Sequence, residues 1–261
     1  MDGLKEIAVV WSAETLKAVR SARTLVLLGF YTMFSLVLLL VASMVAQNFR
    51  AQLGELGTVE QLPKDVEWIF KITLWFLPVY VALMGFDQIS GEVGSRSIRY
   101  LTVRARVSSV LLGKFLVQAS LLVGLVFAID VGLFIYARFA HPNFTFGAMA
   151  LSLLQVWLAT LVFSLAYIAL TTLCSSLFRA SGLSLVFNFV MVLTFFVLEA
   201  AGWYFEGKSF LTHVHYLAPS YYSAHLLSQV PSEFGLSALA YAIFTAVFLG
   251  GSYVVLRARD L

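Results

Sequence analysis

Charge is scarce in this sequence and cysteine is almost absent. Asp, Glu, Lys and Arg make up 12% of the 261 residues, while 61% are hydrophobic; a soluble domain carries roughly twice that share of charge. So little charge cannot clothe a water-soluble fold, so water-soluble, secreted and nucleic-acid-binding readings are excluded and the solvent is lipid. The lone Cys174 excludes an intrachain disulfide and any cysteine-built metal site. Missing as well is the Gly-x-x-x-x-Gly-Lys-Ser/Thr loop, so the chain does not bind ATP by that route. There is no serine-nucleophile elbow and no metalloprotease helix motif, and nothing points to catalysis or to a cofactor. Four histidines are present, His141, His213, His215 and His225. His213-x-His215 offers two ligands, too few for a metal site, and reads as interfacial. No internal repeat and no cleavable leader stands out, so residues 1–261 read as a single all-α integral membrane domain.

What is there is six long apolar runs. The spans are expected at about 25–46, 68–86, 110–136, 147–173, 182–199 and 236–256. Lys71 sits in the first turn of the second and snorkels outward, and Pro78 predicts a kink there. Ahead of the first span, residues 4–22 place Leu4, Ile7, Trp11, Ala18 and Ala22 on one helical face, with Lys5, Glu6, Lys17 and Arg20 away from it. Val9 and Leu16 break the pattern. The stretch reads as an interfacial helix with Trp11, Lys17 and Arg20 at the lipid headgroups, or else as a plain lead-in to the span.

Six spans put both ends of the chain on one side. That side collects twelve of the seventeen Lys and Arg residues, and the other side holds Arg50, Lys64, Lys71, Arg138 and Lys208. The positive-inside rule then makes both termini cytoplasmic, in a multi-pass protein of the inner or plasma membrane. An ion-coupled carrier needs ionisable groups near the midplane. Here Lys71, Lys114, Asp130 and Glu199 map to span ends and Asp87 to the inner end of the second span. The span centres hold Tyr80, Ser120, Thr160, Ser164 and Asn188, which suit helix–helix contacts.

The longest polar stretch on the basic side runs from Gln88 to Lys114. Ser90-Gly91-Glu92 can open a short helix with Glu92 near its positive end. Ile98 and Leu101 are three apart on one face, as are Arg96 and Arg99. Such a helix, lying parallel to the membrane, would dock a soluble partner; equally, the basic residues would bind anionic lipid. Between the fifth and sixth spans, Trp203, Tyr204, Phe205, Phe210, Tyr216, Tyr221 and Tyr222 form an aromatic belt, and Pro219 can start a short helix.

Ser90-Gly91-Glu92, then Ser97-Ile98-Arg99-Tyr100-Leu101, then Val107 to Gly113-Lys114 resembles the signature of ABC-2 type permeases. Leu217-Ala218-Pro219-Ser220-Tyr221 is similar to the Pro-aromatic motif that this family places before its last span. Two departures are visible: Arg96-Ser97 stands where the family has a Gly-Thr pair, and Arg104-Ala105-Arg106 where a proline is common. The resemblance implies the transmembrane subunit of an ABC exporter, paired with a second permease subunit, identical or related. Two copies of a separate ATP-binding subunit would hold the ATP and Mg. It implies an N-terminal elbow helix and a cytoplasmic coupling helix between spans 2 and 3, contacting the ATPase through Glu92, Gly94, Ser95, Arg96, Arg99, Tyr100 and Leu101. It also implies short external helices in which Pro219, Tyr221 and Tyr222 cap the exit, although simple anchoring explains those aromatics as well. A membrane anchor that recruits a soluble partner without moving anything is the alternative from another class.

Overall fold

The computed structural model describes residues 3–53, 64–98, 105–141, 144–205, 210–228 and 230–259. Among them there is no strand, and six helices are long and apolar enough to cross a membrane. The helices are α1 (Gly3–Val19), α2 (Ala22–Leu53), α3 (Lys64–Gly85), α4 (Ser90–Gly94), α5 (Val107–Ala140), α6 (Phe146–Leu177), α7 (Ser181–Tyr204) and α8 (Pro231–Ala258). Two 3-10 helices, Phe210–Leu217 and Pro219–Leu227, lie between α7 and α8. The protein is thus an all-α, multi-pass membrane protein, with the spans where hydropathy places them.

Several helices outrun the apolar stretches that announce them. α5 has 34 residues, or roughly 51 Å at 1.5 Å per residue, against a hydrocarbon thickness of about 30 Å. Its extra turns carry Ser109 at one end and Arg138 at the other. α3 continues through Pro78 as one helix. α5 runs ten residues past Asp130, to Ala140, and the Asp130 side chain is buried. The helix thus ends a turn beyond the expected end of the span at about 136.

α6 is the centre of the bundle, in contact with α3, α4, α5, α7, α8 and the second 3-10 helix. Small and hydroxylated residues allow this close approach: Ser164, Ala166, Ala169, Thr171, Thr172, Ser175 and Ser176 are all buried. Their hydroxyls are satisfied without water. Ser164 donates to the Thr160 carbonyl at 2.6 Å and Thr172 to Ile168 at 2.7 Å. Asn188 of α7 donates to Thr171 Oγ1 at 2.8 Å, joining the two helices. Of the mid-span polar residues, Asn188 joins two helices while Thr160 and Ser164 bond within α6, and the Tyr80 ring meets that of Tyr31 of α2 at 4.7 Å between centroids, tilted by 47°.

α1 packs along the start of α5, and with its polar edge rather than its apolar one. Glu6, Val10, Glu14 and Lys17 form the inward stripe, while Leu4, Val9, Leu16 and Val19 are exposed. The expected division of the wheel is turned, not reversed: Glu6 faces α5, while Lys5 and Arg20 remain exposed, Lys17 largely so, and Trp11, of the expected apolar face, bonds to α5. Val9 and Leu16, which spoil a soluble amphipathic pattern, belong to the outward apolar face.

Candidate functional site

The end of the bundle that carries most of the basic residues is organised around α4. This helix has only five residues, and its N-cap, Ile89, supplies no side-chain cap. The free N–H groups of a helix start need acceptors, and α6 provides one. The backbone N–H groups of Ile89 and Ser90 both donate to Ser175 Oγ at 3.0 Å. Ser90 Oγ in turn donates to the Phe86 carbonyl at 2.9 Å and lies 3.3 Å from Ser181 Oγ of α7. Ile89, Val93, Ile98, Leu111 and Leu256 close into a small buried apolar cluster, which fastens α4 to the start of α5 and the end of α8.

Gly94 is a close-approach position. A Cβ there would stand 2.6 Å from the Arg179 carbonyl oxygen in the α6–α7 turn, a backbone atom that cannot step aside. After α4 the chain turns sharply, and Arg96 adopts φ 60, the left-handed region that favours glycine. A backbone geometry natural to glycine is thus held here by an arginine. Ser95 Oγ donates to the Gly91 carbonyl at 2.8 Å and sits 3.0 Å from Ser97 Oγ, tightening the same turn.

Glu92 faces the protein interior. Its Oε1 accepts from Lys114 Nζ at 2.7 Å, and the lysine is only 3% exposed. Lys114 also pairs with Glu14 of α1 at 3.3 Å, and Lys17 of α1 lies 3.8 Å from Glu92. Gln88 donates to the Lys114 backbone carbonyl, and Arg23 of α2 pairs with Asp87 while donating to the Leu83 carbonyl at 2.7 Å. Burying a lysine is costly unless it is paired; here two carboxylates surround it. The groups line a cavity of about 290 Å³ with three cations, Lys17, Arg23 and Lys114, against three anions, Glu14, Asp87 and Glu92. Charge balance makes this a junction of α1, α2, α4 and α5 rather than an anion trap.

The rest of α1 is fixed by the same logic. Glu6 accepts from Ser109 Oγ at 3.1 Å and from the Arg106 N–H, which is the free start of α5. The bond from the Arg106 N–H, then that from Ser109, holds the Glu6 carboxyl below the usual carboxylate range. A Cβ on Gly113 would meet the Val10 side chain at 2.6 Å, so α1 lies against the bare backbone of α5. Trp11 Nε1 donates to Ser120 Oγ at 3.2 Å. Arg20 is exposed in the turn between α1 and α2.

Glu92, Gly94, Ser95 and Arg96 are therefore gathered on and just after α4, with Lys17 beside Glu92 and Trp11 two turns along α5. Arg99, Tyr100 and Leu101 lie outside the described residues. Sequence reasoning set Lys114 aside as an anchor for its own span and passed over Glu14 and Ser175. Opposite charges flanking one short loop were the signal available for Lys114; for Ser175, an apolar run with a few hydroxyls gives none.

At the opposite end, Pro219 opens the second 3-10 helix, and its carbonyl accepts from the buried Tyr241 hydroxyl of α8 at 2.6 Å. The Tyr221 ring lies 4.2 Å from that of His215, tilted by 36°, and Tyr222 donates to the Tyr216 carbonyl at 3.2 Å. Burial, then the neighbouring Tyr216, pushes the Tyr222 phenol above its ordinary value, so it stays neutral. These short helices roof a cavity of about 830 Å³ whose walls include Lys71, Trp75, Phe163, Glu199, His215 and His225. Among the described residues no three His, Cys, Asp or Glu side chains converge as metal ligands.

No protein-family model matches this chain, and no curated protein matches it at a significant level.

Proposed function

We propose that this chain is the membrane-spanning permease subunit of an ATP-driven exporter of ABC-2 type, receiving its energy from a separate ATP-binding subunit. The observation that carries this reading is the buried Glu92–Lys114–Glu14 junction. It joins a short helix between two spans to the interfacial α1, to the start of α5 and, through Ser175, to the central α6. A push on α4 from outside therefore reaches three other helices at once, which is what a port for imported energy requires. On this reading α4 is the coupling helix, α1 the elbow, and the basic end is cytoplasmic by the excess of Lys and Arg.

Glu92 then acts from within, holding α4 on Lys114, while exposed Gly94, Ser95 and Arg96 meet the ATPase. Two ATP-binding subunits, carrying ATP and Mg, serve a pair of permease chains. The pairing is supported by α7, where Leu183, Val186, Val190, Leu193 and Val197 are exposed at alternating spacings of three and four. The 3-10 helices around Pro219, Tyr221 and Tyr222 cover the exit on the other side of the membrane.

The test is co-purification with a candidate ATPase, followed by measurement of its ATPase rate. Glu92→Lys, which sets a second cation against Lys114, lowers both retention and stimulation of the ATPase. A Glu92→Lys chain that inserts normally, retains the ATPase and supports the full rate sinks the coupling role. An ATPase that is retained but drives no transport favours a membrane anchor instead.

A further inference from the structure

Asp130 presents a problem that the proposed exporter cycle does not use. It sits in the membrane-spanning part of α5 at 7% exposure, and its Oδ2 is buried without a hydrogen-bond partner. A carboxylate in that setting needs a counter-charge. It lines a cavity of about 290 Å³ between α2, α3 and α5, and among the described residues no Lys, Arg or His belongs to the lining.

The lining reads as a receptor for positive charge. Thr32 and Ser35 donate their hydroxyl protons to their own helix, to the Leu28 carbonyl at 2.8 Å and the Tyr31 carbonyl at 2.9 Å. What their oxygens have left to offer is lone pairs. With the Asp130 carboxylate these make an acceptor-rich site in which Thr73 adds one hydroxyl; an anion would face the carboxylate, whereas an ammonium group would find partners. The remaining wall is apolar, including Leu36, Ile69, Phe70 and Leu133, and Leu36 is 54% exposed. The cavity therefore opens sideways past α2, toward the hydrocarbon rather than toward water.

We propose that the α2–α3–α5 cavity binds a cation-headed amphiphile, with its ammonium against Asp130 and its chain leaving past Leu36 into the bilayer. This site is independent of ATPase coupling and would operate whether or not the chain transports anything. Such a ligand supplies the missing charge and brings its own apolar tail, as the two kinds of wall require.

Thermal unfolding of the purified full chain in phosphatidylcholine nanodiscs tests this, with octylammonium, octanol and octanoate as probes at neutral pH. Octylammonium raises the midpoint saturably, by roughly 5 °C, and the two others do not. Asp130→Asn loses the shift. Gly132→Phe, which keeps the carboxylate, loses it too; an added Cβ on Gly132 meets nothing within 4 Å, so the ring enters the cavity without displacing packed atoms at its root. The second variant decides the matter if the first does not fold. The proposal is overturned if octanol acts as strongly as octylammonium, if both variants retain the shift, or if the unaltered protein shows none because the carboxyl simply holds a proton.

Discussion

Lys114 and Arg96 are the two residues whose local environment departs most from what their chemistry prefers. Lys114 gives up water for two carboxylates, and removing it leaves Glu92 and Glu14 facing each other across a buried gap. Breaking such a pair from one side costs about 3–5 kcal/mol. Lys114→Ala should accordingly lower the unfolding midpoint of the solubilised protein by many degrees, while Arg20→Ala, in the exposed turn between α1 and α2, should barely move it. Arg96 departs in its backbone instead, with φ at 60. A left-handed conformation costs a residue with a Cβ about 1–2 kcal/mol. Arg96→Gly, which relieves that strain at some cost in unfolded-chain entropy, should stabilise the fold by about 1 kcal/mol, read as a higher midpoint in the same experiment. The residue types at both positions were plain in the sequence, yet their states were not. A basic residue near a span end can snorkel or pair, and the arrival of α4 with Glu92 and of α1 with Glu14 decides that Lys114 pairs.

At the scale of elements, the long spans were legible because lipid imposes one requirement on all of them, a continuous apolar run. α1 was legible as a helix but not in its orientation. Its charged edge looked destined for headgroups, and instead it meets Ser109, Lys114 and Glu92. The short helices before α8 were readable from Pro219, but their 3-10 form was not, since composition does not distinguish i+3 from i+4 bonding over two turns. The docking of α1 carries its own pH signature. The Glu6 carboxyl is held below its ordinary value of 4.5 by the Arg106 N–H and Ser109, so its stabilisation is complete above that value. The contribution fades as pH falls through the lowered folded-state value. Hydrogen exchange of α1 should accelerate on acidification through that range, and Glu6→Gln should flatten the dependence while raising exchange at neutral pH.

For the molecule as a whole, α7 makes the sharpest test of assembly. Its exposed seam is Leu183, Val186, Val190, Leu193 and Val197, and the single native cysteine, Cys174, is fully buried. Val190→Cys should therefore give a disulfide-linked dimer on mild oxidation in membranes. Cys at Phe139, which is 84% exposed on α5, should not. Equal crosslinking at both positions would mean random collision and no specific seam. Pairing of this kind was the part of the architecture least legible in the sequence, because lipid-facing and partner-facing residues are equally apolar.

The six neighbours of α6 carry a mechanical consequence. A rod held by six neighbours cannot swing without repacking much of the core, and a close-packed core resists that, even though Leu151 and Leu154 leave part of its surface open. α6 is therefore a strongly constrained element of the bundle. α2 has the opposite character: its outer face is bare along Val26, Met33, Val37, Leu40 and Met44, and its foot is pinned by the Arg23–Asp87 pair. Along its inner side Tyr31 meets Tyr80 and Phe34 stacks on Phe76 of α3, so α2 is held on one side and bare on the other. Displacing α2 therefore disturbs fewer neighbours than displacing α6.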